Sequence, residues 1–143
     1  MGTVHAEITL KNVFDEEKAQ EGLIREDEVR SVTVEAIVDT GASTIVINEE
    51  LRQKLGLDKT MERRTILADG RSVQCWRTKP VAIYCKNRYH ACPAIVIPDA
   101  KKILLGAIPL EGMDLMVYPK TQELVGIHGD VEEYMALYFR DFQ

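Results

Sequence analysis

Short apolar or alternating runs, separated by turn signals roughly every ten residues, dominate this sequence. That spacing points to a mainly β fold, a closed barrel or sandwich, and away from a βαβ arrangement. Val4–Asn12 alternates weakly and reads as a strand. Val29–Val38 is clearer, with Val32, Val34, Ala36 and Val38 on one face and Thr33 and Glu35 on the other. Thr44-Ile45-Val46-Ile47 is a second β-branched run. Two hairpins follow. The first joins Arg63–Ala68 to Arg71–Trp76 around the two-residue turn Asp69-Gly70, with Ile66 opposite Val73. The second joins Val81–Cys85 to Ala94–Ile97, turning near Lys86–Tyr89. Ile103-Leu104-Leu105, ended by Gly106, suits a strand buried on both faces. Leu115–Tyr118 and Glu123–Ile127 form a last hairpin around Pro119-Lys120-Thr121.

Helical signals are fewer. Asn48 is a good N-cap, Glu49 and Glu50 occupy the electropositive first turn, Leu51 and Leu55 lie one turn apart, and Gly56 can end the helix. Ala107–Gly112 reads as a short helical turn with Pro109 near its start. The charged stretch Asp15–Glu28 reads as a solvated loop or a short helix. Asp130 can cap a C-terminal helix, in which Val131, Tyr134, Leu137, Tyr138 and Phe142 approximate one face.

A chain of 143 residues fits one domain over 1–143, with a core at about 4–127 and a helix-like extension over 128–143. Its 45% hydrophobic content excludes compositional disorder. The net charge of -5, with no basic stripe, argues against nucleic-acid binding. No apolar run is long enough for a signal peptide or a membrane span, and Ala6 stands where a myristoylation motif needs Ser or Thr. A cytoplasmic protein is therefore expected. Cys75, Cys85 and Cys92 are an odd set without metal-ligand spacing. Cys85 and Cys92 could face each other across a hairpin, but reduced core residues are the expectation. His5, His90 and His128 have no ligand-like spacing, so no metal and no cofactor are expected.

The informative stretch is Ala36-Ile37-Val38-Asp39-Thr40-Gly41-Ala42-Ser43. A carboxylate follows at once on an apolar strand, and burying one is costly unless it is hydrogen-bonded or paired. Gly41 lacks a Cβ, so its N–H can approach that carboxylate and its φ can be positive. Thr40 adds a hydroxyl. Asp-Thr-Gly alone is a common tripeptide, and a strand ending in an Asp-capped turn would account for it. Phosphoryl-transfer sites put an acid or a Lys close behind the first Asp, whereas Gly41 and Ala42 stand here.

The context is more specific. An apolar β run follows the tripeptide, a hairpin tip at Asp69-Gly70 lies about thirty residues on, and Leu104-Leu105-Gly106 comes later. In this order the features resemble the retropepsin-like aspartic proteases, the fold of retroviral proteases and of one pepsin lobe. The resemblance covers roughly Val4 to Ile127 and looks closest to small cytosolic prokaryotic members. It implies that Asp39 is the catalytic aspartate, that Thr40 hydrogen-bonds across a dimer, and that Gly41 donates its N–H to the carboxylate. It implies that Ile103, Leu104, Leu105 and Gly106 pack behind the catalytic loop as half of a ψ-shaped motif. Ala42 and the flap residues Ala68, Asp69, Gly70 and Arg71 would contact substrate. With one Asp-Thr-Gly and no internal repeat, the two carboxylates must come from a homodimer. Held about 3 Å apart, they would share one proton, the established rule for aspartic proteases. The ionised one would act as base on a water; the protonated one would polarise the carbonyl of a peptide or protein substrate.

Two departures from the pattern stand out. The flap Leu67-Ala68-Asp69-Gly70-Arg71 has one glycine where retroviral flaps are glycine-rich, and Asp69 at its tip would repel a second Asp69 or bind basic substrates. The retroviral dimer is sealed by terminal strands, whereas this chain runs on into Asp130–Phe142. That tail would seal the dimer differently, cover the cleft, bind a partner or simply pack as a surface helix. Two functions follow: an active aspartic endopeptidase, or a retropepsin-fold dimer with little or no turnover that serves as a peptide-binding or scaffolding module.

Overall fold

The computed structural model describes residues 2–129. The C-terminal helix expected over 130–142 lies outside the described residues. Among the described residues there are nine strands: β1 (His5–Asn12), β2 (Ser31–Val38), β3 (Ile45–Ile47), β4 (Lys59–Ile66), β5 (Ser72–Cys85), β6 (Arg88–Val96), β7 (Ile103–Leu105), β8 (Leu115–Tyr118) and β9 (Glu123–Gly126). Three short helices join them: α1 (Val13–Gln20), α2 (Glu49–Leu55) and α3 (Ala107–Gly112).

The strands run in the order β1-β2-β7-β3-β6-β5, and β1 also pairs with β5. Six strands thus close on themselves, which leaves no free edge in the ring. β4 hangs outside, bonded to β5 alone. β8 and β9 form a separate two-stranded sheet. Ile8, Leu10, Ile45, Ile47, Val81, Ile83, Val96 and Leu105 fill the interior and are almost wholly buried. Each such side chain contributes roughly 1.5–3 kcal/mol of burial free energy. This is the mainly β, retropepsin-like barrel that the run-and-turn spacing and the family resemblance imply.

The helix expected at Asn48 forms as its caps dictate. The Asn48 side chain accepts from the Leu51 N–H at 2.8 Å, and Gly56 takes the left-handed conformation at φ 63°. Arg52 holds Glu49 through Nε and Nη2 at 2.7 and 2.6 Å. That fork, with Gln53 and Lys59 adding to it against an opposing effect of burial, lowers the Glu49 carboxyl to about 2. A depressed carboxylate contributes stability above its unfolded value, lost as pH falls through the folded value. We therefore predict that Glu49→Gln costs about 1 kcal/mol at neutral pH. Urea melts should show that difference shrinking between about pH 4.5 and pH 2; a difference that grows with acid would contradict the assignment.

Several details depart from the sequence expectation. Asp69-Gly70 does not make a two-residue turn. Gly70 N–H donates to Leu67 O at 2.9 Å, Leu67 N–H donates to Arg71 O at 2.8 Å, and Gly70 has φ +87°. This is a three-residue loop with a glycine bulge. The register moves by one, so Thr65 faces Val73 and Ile66 faces Ser72. The second hairpin turns on Lys86-Asn87 alone, both with positive φ, and pairs Cys85 with Arg88. β5 is unbroken through Pro80, because the ladder shifts register between Arg77 and Pro80. Cys92 faces Val81 rather than Cys85, and all three cysteines are free and buried. The charged stretch after β1 forms α1, and it is not wholly solvated: Asp15 is 4% exposed and ion-paired with Arg30 at 2.8 Å.

Candidate active site

β2 ends at Val38, and its parallel ladder with β7 continues one residue further: Asp39 N–H donates to Leu105 O at 3.0 Å. The chain then turns, Ala42 N–H closing on Asp39 O at 3.0 Å, and returns as β3. β3 lies antiparallel to the same β7, with Ile45 opposite Leu105 and Val46 opposite Leu104. Ile103-Leu104-Leu105 therefore sits between the two strands that flank the Asp39 loop. Ile103 and Leu105 are buried while Leu104 is only partly so, which means the strand is fully covered on one face and partly on the other, short of the burial on both faces that its apolar run predicts.

Gly106 locks the loop to this strand. A Cβ there would lie 2.3 Å from Thr44 O and 2.5 Å from Ala42 O. Its φ of -94° is ordinary, so what the glycine supplies is space. The first N–H groups of α3, which no helix can satisfy internally, bond to the loop instead. Ala107 N–H donates to Ala42 O and Ile108 N–H to Ser43 O, both at 2.9 Å. Thr44 Oγ1 anchors the far side by donating to Pro93 O at 2.9 Å. No local pattern around Thr44 marks this anchor.

The carboxylate is held as its neighbours allow. Gly41 N–H donates to Asp39 Oδ1 at 2.9 Å, and a Cβ on Gly41 would come 3.1 Å from that oxygen. The φ of Gly41 is not in the left-handed range, so its contribution is close approach rather than unusual backbone. Asp39 is half-buried, while Thr40 and Gly41 are exposed. Among the described residues the Thr40 hydroxyl has no hydrogen-bond partner. The loop thus presents a carboxylate and a free hydroxyl outward, on a base fixed by β7 and α3.

The flap residues stand apart from this cluster. Ala68, Asp69, Gly70 and Arg71 form the exposed tip of the β4–β5 hairpin, and no hydrogen bond joins them to the Asp39 loop. Asp69 bonds within its own turn, accepting from Arg71 N–H at 3.0 Å and Nε at 2.8 Å. The backbone bond foremost, then the guanidinium, lowers its carboxyl below the ordinary value. Trp76 lies opposite Val96, on the core side of the sheet, with Lys59 Nζ over its ring at 4.1 Å. Among the described residues no three His, Cys, Asp or Glu side chains converge as a metal site would need, and no helix is long and apolar enough to cross a membrane.

The family model described as aspartyl protease matches residues 26–127, from just before β2 to just past β9. The chain belongs to that family, of the retropepsin-like type. A comparison with curated proteins returns no match.

Proposed function

We propose that this chain is an aspartic endopeptidase that acts as a homodimer, each subunit contributing Asp39. The observation that carries the reading is the Asp39 loop itself: a carboxylate bonded to Gly41, clamped on the β7–Gly106 element, and left outward-facing. Thr40, exposed and without a hydrogen-bond partner among the described residues, would bond to the loop of the second copy. One ionised Asp39 would take a proton from a held water, and the protonated one would polarise the scissile carbonyl and then protonate the leaving nitrogen. Gly41 would keep the ionised oxygen in place. Ile103, Leu104, Leu105 and Gly106 act as positioning residues. Ala42 would line the cleft, and the flap over Ala68–Arg71 would close on an extended substrate.

On this proposal residues 1–143 make one retropepsin-like domain. Three free, buried thiols suit a reducing compartment and support a cytoplasmic location. The alternative, a peptide-binding dimer without turnover, would hold the same loop for no chemical return. The test is cleavage of a diverse peptide library from about pH 3.5 to about pH 7.5, a range wide enough for a shared-proton pair. Protein concentration should be set where sedimentation shows a dimer. Discrete cut sites are expected; an intact library in the presence of a confirmed dimer would favour the binding module.

A further inference from the structure

We infer that a cavity beside the Asp39 loop is a subsite for an acidic side chain, with Arg63 and Arg77 as its cationic wall; the inference rests on the peptidase reading above. The cavity has a volume of about 250 Å³ and is lined by Ser43, Thr44, Arg63, Arg77, Ile95 and Ile108 among others. Three elements converge there. Ser43 and Thr44 continue the Asp39 loop and are pinned to α3 and β6 by the bonds already described. Arg63 and Arg77 come from the base of the flap hairpin. Arg63 lies opposite Cys75, and Arg77 is two residues on from Cys75, so both project from one face. Ile95, opposite Arg77, and Ile108 of α3 supply apolar walls.

The charge in this cavity is unanswered. Arg25, Arg30, Arg52, Arg71 and Arg88 each pair with an Asp or Glu. No carboxylate among the described residues lies within ion-pair distance of Arg63 or Arg77. A guanidinium fork binds a carboxylate through two parallel N–H donors, and apolar walls beside it suit the methylenes of Glu. The position of the pocket limits which substrate residue can reach it. Ser43 follows Asp39 by four residues, so its Cα lies within about 14 Å of chain. An extended substrate advances about 3.3 Å per residue. The acidic residue should therefore fall within about four residues of the scissile bond.

The experiment compares wild-type protein with Arg63→Gln/Arg77→Gln on a peptide library in which every position varies, with cut sites read by mass spectrometry. Wild type should favour Glu over Gln by tenfold or more at one fixed position, and the double variant should cut the same bonds with that preference gone. Arg77→Glu should move the preference at that position toward Lys. No acidic preference near the cut, or one that survives in the double variant, would overturn the subsite while leaving the peptidase intact. An uncut library would overturn the peptidase reading instead. The pocket is then judged by retention on immobilised protein, where Glu peptides held no better by wild type than by the double variant would overturn it too.

Discussion

Asp39→Asn is expected to lower peptide hydrolysis by at least about 10³-fold, the scale of a lost general base. The substitution keeps the shape and the Gly41 N–H contact, which a side-chain carbonyl can accept as a carboxylate does. The Asp39 N–H bond to Leu105 O is a backbone bond and stays. What is lost is the site that takes a proton from water, and in a homodimer it is lost twice. The fold should therefore be unchanged by circular dichroism, and the dimer should persist or tighten, because a charged pair no longer has to be buried at the interface. Hydrolysis that survives in a folded Asp39→Asn dimer would remove Asp39 from the chemistry.

Gly106→Ala should have the second-largest effect, at least about 3 kcal/mol of stability, toward the upper end for overpacking a rigid site. The cause is local. The new Cβ would meet Thr44 O at 2.3 Å and Ala42 O at 2.5 Å, both backbone atoms that no side-chain rotation can relieve. Relief requires moving the Asp39 loop off β7, which breaks the Ala107–Ala42 and Ile108–Ser43 bonds. Any protein that still folds should therefore lose turnover out of proportion to its loss of stability. Gly70→Ala is the contrast: no atom lies near its Cβ direction, and only the φ of +87° is strained. Urea melts of the two variants, beside peptide turnover, check this; a Gly106→Ala protein as stable as wild type would mean that the loop is not clamped as described.

The parts legible in the sequence were those where chemistry leaves few choices. A carboxylate after an apolar strand, then a residue without Cβ, marked the loop because a half-buried carboxylate needs a donor at close range. Asn48 and Gly56 marked both ends of α2, each having a geometric duty at a helix terminus. Ile103-Leu104-Leu105 forms the strand that its apolar run predicts, but Leu104 is only partly buried, so the run overstates burial on the second face. Misreadings arose where one local signal fits two geometries. Asp-Gly serves a two-residue turn or the end of a three-residue loop, and the choice shifts the whole register. The separate runs Arg71–Trp76 and Val81–Cys85 are one strand, because a register shift lets Pro80 stay within it. Lys86-Asn87 lacks the glycine usual where two successive residues take positive φ, so the turn looked longer than it is.

Other features were hidden by distance along the chain. The Asp15–Arg30 pair spans fifteen residues and ties the charge run Asp15–Glu28 to the strand that follows it. Arg88 is fully buried, its Nη1 donating to Met113 O at 2.9 Å and to Asp114 O at 3.1 Å, yet nothing near it in sequence marks it as interior. Arg63 and Arg77 meet only through the β4–β5 register, which the one-residue slip at the turn had obscured. Burial and charge pairing across elements are properties of the fold, and short-range patterns do not carry them.

Two copies of Asp39 should make one site, and mixing active with inactive subunits shows whether they do. Wild-type and Asp39→Asn chains are unfolded together in equal amounts, refolded at fixed total concentration, and assayed on a cleaved peptide. Random pairing of subunits leaves wild-type homodimers as about a quarter of all dimers, so activity should fall to about a quarter of the all-wild-type sample. Activity of about a half would show that each wild-type chain works alone, and the shared site would be wrong.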